Sequence, residues 1–218
     1  MSNKGLDFDD LLRTLDDFAG GPADAEDPKS RTRARILKAA KPLFEKLGYR
    51  RTSIDDVARD AGIAKGTVYV HFKSKAELLF HVLIEEKRRL IHAFRPIFDP
   101  SLAPLQRMRL YVELLVTSFA DSPLSVKLMT GDRELLLFLE ELPNDLRQAV
   151  LARQTEGIEG LLQGLEIPDE ERPVRVRAFQ GLVYALGGII EARSHTGLSL
   201  QQYATQLAKI FVDGLRSR

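Results

Sequence analysis

Apolar positions recur along this chain at intervals of three and four residues, and glycine and proline separate the stretches that carry them. That spacing is one face of an α-helix. Near the start, Phe8, Leu11, Leu12, Leu15, Phe18 and Ala19 share such a face, and Gly20-Gly21-Pro22 stops it. Ala23 to Lys29 reads as a linker. From Ser30 a second face, Ile36, Ala40, Leu43, Phe44 and Leu47, runs to Gly48. Pro42 lies inside it, removes a backbone donor and predicts a local bend. Thr52 or Ser53 then caps a short helix with buried face Ile54, Val57, Ala58 and Ala61, Asp55 and Asp56 in its first turn and Gly62 at its end. A long helix is expected from about Ser74 to Phe94. Further helical segments are Pro104–Ala120, Leu124–Met129, Asp132–Leu142, Asn144 to about Leu165, Glu170–His195 and Ser199 to about Leu215. Period-2 alternation is nearly absent, so the expected fold class is all-α.

One stretch resists this pattern. Thr67-Val68-Tyr69-Val70-His71-Phe72 is β-branched and aromatic, which favours a strand by local preference. A six-residue strand here would find no partner. As a helix it turns Val68 and Phe72 inward, and leaves Lys65, Thr67, Tyr69 and His71 directed elsewhere. Short helix, glycine turn and second short helix, behind a longer packing helix, predict a helix-turn-helix over 53–72.

Charge sharpens the picture. The formal net charge is only +1. Residues 1–28 nevertheless hold two basic side chains against eight acidic ones, residues 29–95 seventeen against seven, and residues 96–218 thirteen against sixteen. A basic block confined to a third of the chain suggests a polyanion-binding surface. There is no cysteine, which excludes a disulfide framework and thiolate chemistry and fits a reducing compartment. The acidic start is unlike a secretory signal, and the longest apolar run, Gly181 to Ile190, is too short to span a bilayer. A cytoplasmic location is expected, with no membrane partner. His71, His81, His92 and His195 lack metal-ligand spacing, and no phosphate loop or nucleophile elbow is present. No catalytic constellation, metal or cofactor is therefore expected; the protein reads as a non-enzyme.

The basic block has its own chemistry. A helix-turn-helix lays the front of its second helix in the major groove while flanking groups hold phosphates. Lys65 and Thr67 occupy that front, and Gly66 lets the backbone approach DNA. Tyr69 and His71 can donate to phosphate, as can Lys75 at the start of the next helix. Thr52 and Ser53 open the preceding helix, whose free amides favour an anion. Lys29, Arg31, Arg33, Arg35, Arg50 and Arg51 add charge near the groove walls.

The residues from Arg35 to Leu79 closely resemble the DNA-binding domain of TetR-family transcriptional regulators. The resemblance rests on Gly48-Tyr49, Thr52-Ser53-Ile54, Val57-Ala58, Ala61-Gly62-Ile63, Lys65-Gly66-Thr67-Val68-Tyr69, His71-Phe72 and Ser74-Lys75. It covers roughly residues 30–90. It implies a three-helix DNA-binding head, DNA contacts at Thr52, Lys65, Thr67, Tyr69, His71 and Lys75, and a C-terminal domain that binds an effector and dimerises. Three regions result: an acidic extension and linker over 1–29, the head over 30–90, and the C-terminal domain over 91–218.

Helix order then assigns the rest. The last two long helices are expected to form a homodimer interface through Gly181, Tyr184, Ala185, Gly188, Tyr203, Leu207, Ile210 and Phe211. Phe94, Met108, Tyr111, Leu115, Phe119, Met129 and Phe138 are candidates to line an effector cavity, and their character favours an apolar or aromatic small molecule. The expected function is a ligand-responsive transcriptional regulator, a repressor, that binds a palindromic operator as a homodimer and is released by its effector. The alternative is an architectural DNA binder without an effector. The acidic segment 1–28 suggests a helix that docks on the basic head and competes with DNA.

Overall fold

The computed structural model describes residues 7–21, 27–119, 122–129 and 131–216, and every regular element among them is a helix. In chain order these are α1 (Phe8–Ala19), α2 (Pro28–Arg51), α3 (Ile54–Ala61), α4 (Lys65–His71), α5 (Lys75–Ile91), α6 (Pro104–Phe119), α7 (Pro123–Met129), α8 (Arg133–Glu141), α9 (Asn144–Leu162), α10 (Arg172–Ala192) and α11 (Leu200–Arg216), with 3-10 turns at His92–Phe98 and Arg193–His195. They form two compact units, Asp10–Arg89 with Gly131–Asn144, and Met1–Asp9 with Leu90–Thr130 and Asp145–Arg218. The first unit takes in α1 from Asp10 onward and α8 besides the helices of the expected head.

Local chemistry sets the helix ends. The Asp27 carboxylate accepts from the Ser30 amide at 2.8 Å, and that bond holds its pKa below the ordinary carboxylate range. With Pro28 at the first position, α2 starts two residues before the expected Ser30. Its backbone stays helical through Pro42 and departs only at Gly48, φ 79°. The interruption is thus at Gly48, where a positive φ suits glycine alone and where a Cβ would strike the Glu134 carboxylate of α8. Ser53, rather than Thr52, caps α3: its Oγ accepts from the Asp56 amide at 3.1 Å and donates to the Asp56 carboxylate at 2.6 Å. Gly62, φ 63°, closes that helix.

The core of the first unit is Ile36, Ala40, Phe44, Tyr49, Val57, Val68, Phe72, Leu78 and Leu79, all buried. In the second unit α11 lies along α6 and buries Ala204, Ala208 and Val212, one helical stripe. Phe94, Tyr111, Phe179 and Phe211 follow one another at ring separations of 5.9, 5.9 and 5.5 Å. Among the described residues no helix is long and apolar enough to cross a membrane.

Candidate nucleic-acid interface

The strand-like stretch is helical. Local preference loses to packing: a strand would turn Val70 to the same face as the buried Val68 and Phe72, whereas the helix buries those two and turns Val70 outward. Opposite Val68 on a 3.6-residue helix stand Gly66 and Val70, with Tyr69 and Thr67 to either side. Val70 is 72% exposed and Tyr69 47% exposed, large values for such side chains. Val70 is a candidate contact residue that sequence reasoning missed. Its signal was phase: two positions beyond an inward valine, it must face out. In a major groove it offers an apolar surface to a thymine methyl.

The expected contact residues divide by what already holds them. Lys65 and Gly66 are exposed and Thr67 is partly exposed. The Lys65 ammonium pairs with Asp55 at 2.8 Å, and that bond raises its pKa. His71 is half-buried, and burial lowers its pKa, so the neutral imidazole is favoured. Lys75 donates to the Arg50 carbonyl at 3.3 Å, and its ammonium sits 4.4 Å above the Tyr49 ring. Thr52 does not join this set. It is 1% exposed and its hydroxyl donates inward to the Gly48 carbonyl at 2.7 Å, so it secures the α2–α3 junction. Its neighbour Ser53 is partly exposed and committed to capping.

Arg33 also escaped the sequence reading, which gave it only charge. Its guanidinium donates to the Ala19 carbonyl at 2.8 Å and covers the Phe72 ring at 4.4 Å. The described part of the acidic extension does dock on the head: Leu15 and Ala19 are buried, and Asp16 pairs with Arg88 at 2.6 Å. That docking leaves Lys65, Tyr69 and Val70 exposed, so within the described residues it does not cover the outward face of α4.

The effector candidates separate too. Phe94, Met108 and Leu115 are buried in the second unit, and the Tyr111 ring lies between Phe94 and Phe179. Burial raises the Tyr111 phenol pKa, which keeps it neutral. Phe138 is not among them: it is buried in the first unit, 6.2 Å from the Tyr49 ring. The side chains of Phe119 and Met129 lie outside the described residues. Of the interface candidates, Gly181, Ala185 and Gly188 are exposed along α10 and Ile210 is exposed on α11. Tyr203 and Leu207 are half-buried. The Phe211 ring packs on Phe179 of its own chain, and the Tyr184 side chain is outside the described residues. Among the described residues a Cβ at Gly181 or Gly188 would meet nothing within 4 Å, so packing among them does not require glycine at either place.

A groove of about 490 Å³ in the first unit lies among α1, α2 and α5, lined by Arg33, Lys38, Lys41, Glu85, Glu86 and Arg88. Around it Lys41 pairs with buried Glu86 and with Glu45, and Arg88 with Asp16 and Glu85.

Residues 36–82 match the family described as bacterial regulatory proteins, tetR family. The HTH-type transcriptional repressor KstR2 of Mycolicibacterium smegmatis is 33% identical over 87 residues, 40% of this chain and 42% of that one. The chain spans less than half the length of the first curated relatives it matches. Among solved structures, a TetR-family transcriptional regulator from Bordetella parapertussis is 26% identical with a TM-score of 0.59, over 83% of this chain and 94% of that one. FadR from Bacillus subtilis, solved in complex with stearoyl-CoA, shares the fold at 18% identity and a TM-score of 0.60, over 83% of this chain and 98% of that one.

Proposed function

We propose that this chain, whose residues 36–82 match the tetR family of bacterial regulatory proteins, is a cytoplasmic, ligand-responsive transcriptional repressor of that family and not an enzyme. It binds a palindromic operator as a homodimer through Ser53, Lys65, Gly66, Thr67, Tyr69, Val70, His71 and Lys75, and a small apolar or aromatic effector releases it. The observation that carries this reading is the outward face of α4, exposed while Val68 and Phe72 anchor the opposite face. Paired heads place their recognition helices about 34–36 Å apart, one turn of DNA.

The exposed small residues on α10 support the dimer, since exposed glycines that no described neighbour requires permit close approach of a second copy. The ring series Phe94, Tyr111, Phe179 and Phe211 supports an apolar effector, as does the fold shared with a FadR that was solved with stearoyl-CoA. The effector acts by preferring a heads-apart state; an affinity ratio of about 100-fold corresponds to about 2.7 kcal/mol of coupling. α5 carries the change, because its first fifteen residues belong to the first unit and Leu90 and Ile91 to the second.

Selection from a randomised pool of DNA duplexes tests the reading: the full chain should enrich an inverted repeat. An architectural binder would enrich none. On the enriched duplex, Thr67→Ala should lose about 1–3 kcal/mol against one base pair and little on scrambled DNA. Lys75→Ala should weaken both duplexes alike and reduce the slope of log affinity against log salt by about one. Equal losses for Thr67→Ala on both duplexes would remove it from base reading.

Gly66→Ala separates stability from binding. A Cβ there meets nothing within 4 Å, so the free protein should gain about 0.5–1 kcal/mol from better helix propensity. Operator affinity should fall, because the methyl occupies the space the DNA backbone or base edges need. A melting temperature that rises together with unchanged affinity would show that α4 does not approach DNA closely at this point.

A further inference from the structure

α4 is a short helix with little of its own to hold it. It has seven residues, and Ala64 at its start supplies no side-chain cap. Its far end is better secured. Phe72 closes it, with its amide donating to Val68 at 2.9 Å and its ring buried. One guanidinium, that of Arg33 on α2, lies 4.4 Å from the Phe72 ring, reaches the His71 carbonyl at 3.5 Å and donates to the Ala19 carbonyl at 2.8 Å. His71 and Ala19 are the last residues of α4 and α1, so a single cation joins the negative ends of two helix dipoles. Rings complete the circuit. Phe72 lies 5.4 Å from His81, His81 5.4 Å from Phe80, and Phe80 meets Phe18 of α1 edge-on at 6.1 Å. The Asp16–Arg88 pair fastens α1 to α5 beside it.

We infer that α1 is a positioning element for the recognition helix and that it acts through Arg33. Docked, α1 presents the Ala19 carbonyl that orients the guanidinium, and the guanidinium in turn sets Phe72 and the end of α4. The acidic extension thus sharpens sequence selection rather than competing with DNA, and Arg33 is a positioning residue, not a phosphate contact. This rests on the regulator reading above.

The test uses the full chain, the duplex it enriches from a randomised pool and a scrambled duplex of equal length. Leu15→Gln with Phe18→Ala undocks α1 without changing charge. It should cost tenfold or more on the enriched duplex and leave scrambled-DNA affinity and the salt slope unchanged. Arg33→Lys keeps the charge but not the two-armed fork. It should lose as much, and the triple variant should lose no more than either, because both break one connection. Amide exchange over residues 68–72 should quicken in both variants. If the double variant fails to fold, Arg33→Lys carries the same test alone. Enrichment of no sequence by the unaltered chain sinks the regulator reading, and this inference with it. Enrichment together with wild-type binding by Arg33→Lys, or tighter binding by the undocked variant, overturns this inference alone.

Discussion

Tyr49→Ala should lower the stability of the first unit by about 3–5 kcal/mol, as expected when a fully enclosed aromatic is truncated. Tyr49 is 2% exposed and stacks on Phe44 at 6.3 Å, with Phe138 at 6.2 Å on another side. Its hydroxyl donates to Glu141 of α8, and burial and that carboxylate push the phenol pKa up, so the group stays neutral. Tyr49→Phe keeps the rings and loses only this bond to an exposed partner, so it should cost about 1 kcal/mol or less. Because the Lys75 ammonium rests on the Tyr49 ring, Tyr49→Ala should also weaken DNA binding in a salt-dependent way where the chain remains folded. Denaturant titration of both variants checks the ranking. Equal costs for Tyr49→Phe and Tyr49→Ala would mean that the hydroxyl, not ring packing, secures α8.

Acid should destabilise the same unit through His81. This imidazole is buried against Phe72 and Phe80, its Nδ1 has no hydrogen-bond partner among the described residues, and its Nε2 stands 3.9 Å from Glu77. Burial, aided by the nearby Arg33 charge, pulls its pKa down to about 3 from an ordinary 6.5. The unfolded chain therefore binds the proton first. The stability this neutral histidine preserves is fully present above pH 6.5 and is lost as pH falls from 6.5 toward 3, by about 1.4 kcal/mol for each unit. Denaturant midpoints between pH 7.5 and 4.5 should show this decline, and His81→Leu should flatten most of it. His71, shifted in the same direction, leaves a smaller remainder. An undiminished slope in His81→Leu would assign the acid sensitivity elsewhere.

Much of the first unit was legible in the residues. A cap at Thr52 or Ser53, the Gly62 stop and the inward pair Val68 and Phe72 follow from rules that act within a few positions, and the structure has the stop, the pair and, of the two caps, Ser53. Errors came where packing, not local pattern, decided what a residue does. Thr52 reads as an exposed hydroxyl at a helix start, yet the Gly48 carbonyl four residues back takes its proton inside the core. Phe138 reads as one more aromatic in a long helical domain, yet it belongs with Tyr49, almost ninety positions away in the chain. Phe211 looked free for a partner until Phe179 covered its ring. Pro42 promised a bend, but it lies on an exposed face of α2, and the backbone breaks instead at Gly48.

Sequence alone determined that the chain is helical, that Gly62 ends the first short helix, and that Val68 and Phe72 turn inward. Those properties depend on hydrophobic period, capping groups and glycine geometry, all local. Only tertiary structure decided what the charged and aromatic residues are for. Arg33 became a joint between two helix ends, Lys75 a cation resting on Tyr49, and the acidic extension a docked helix. Each of these depends on a partner whose distance along the chain carries no sign of its nearness in space.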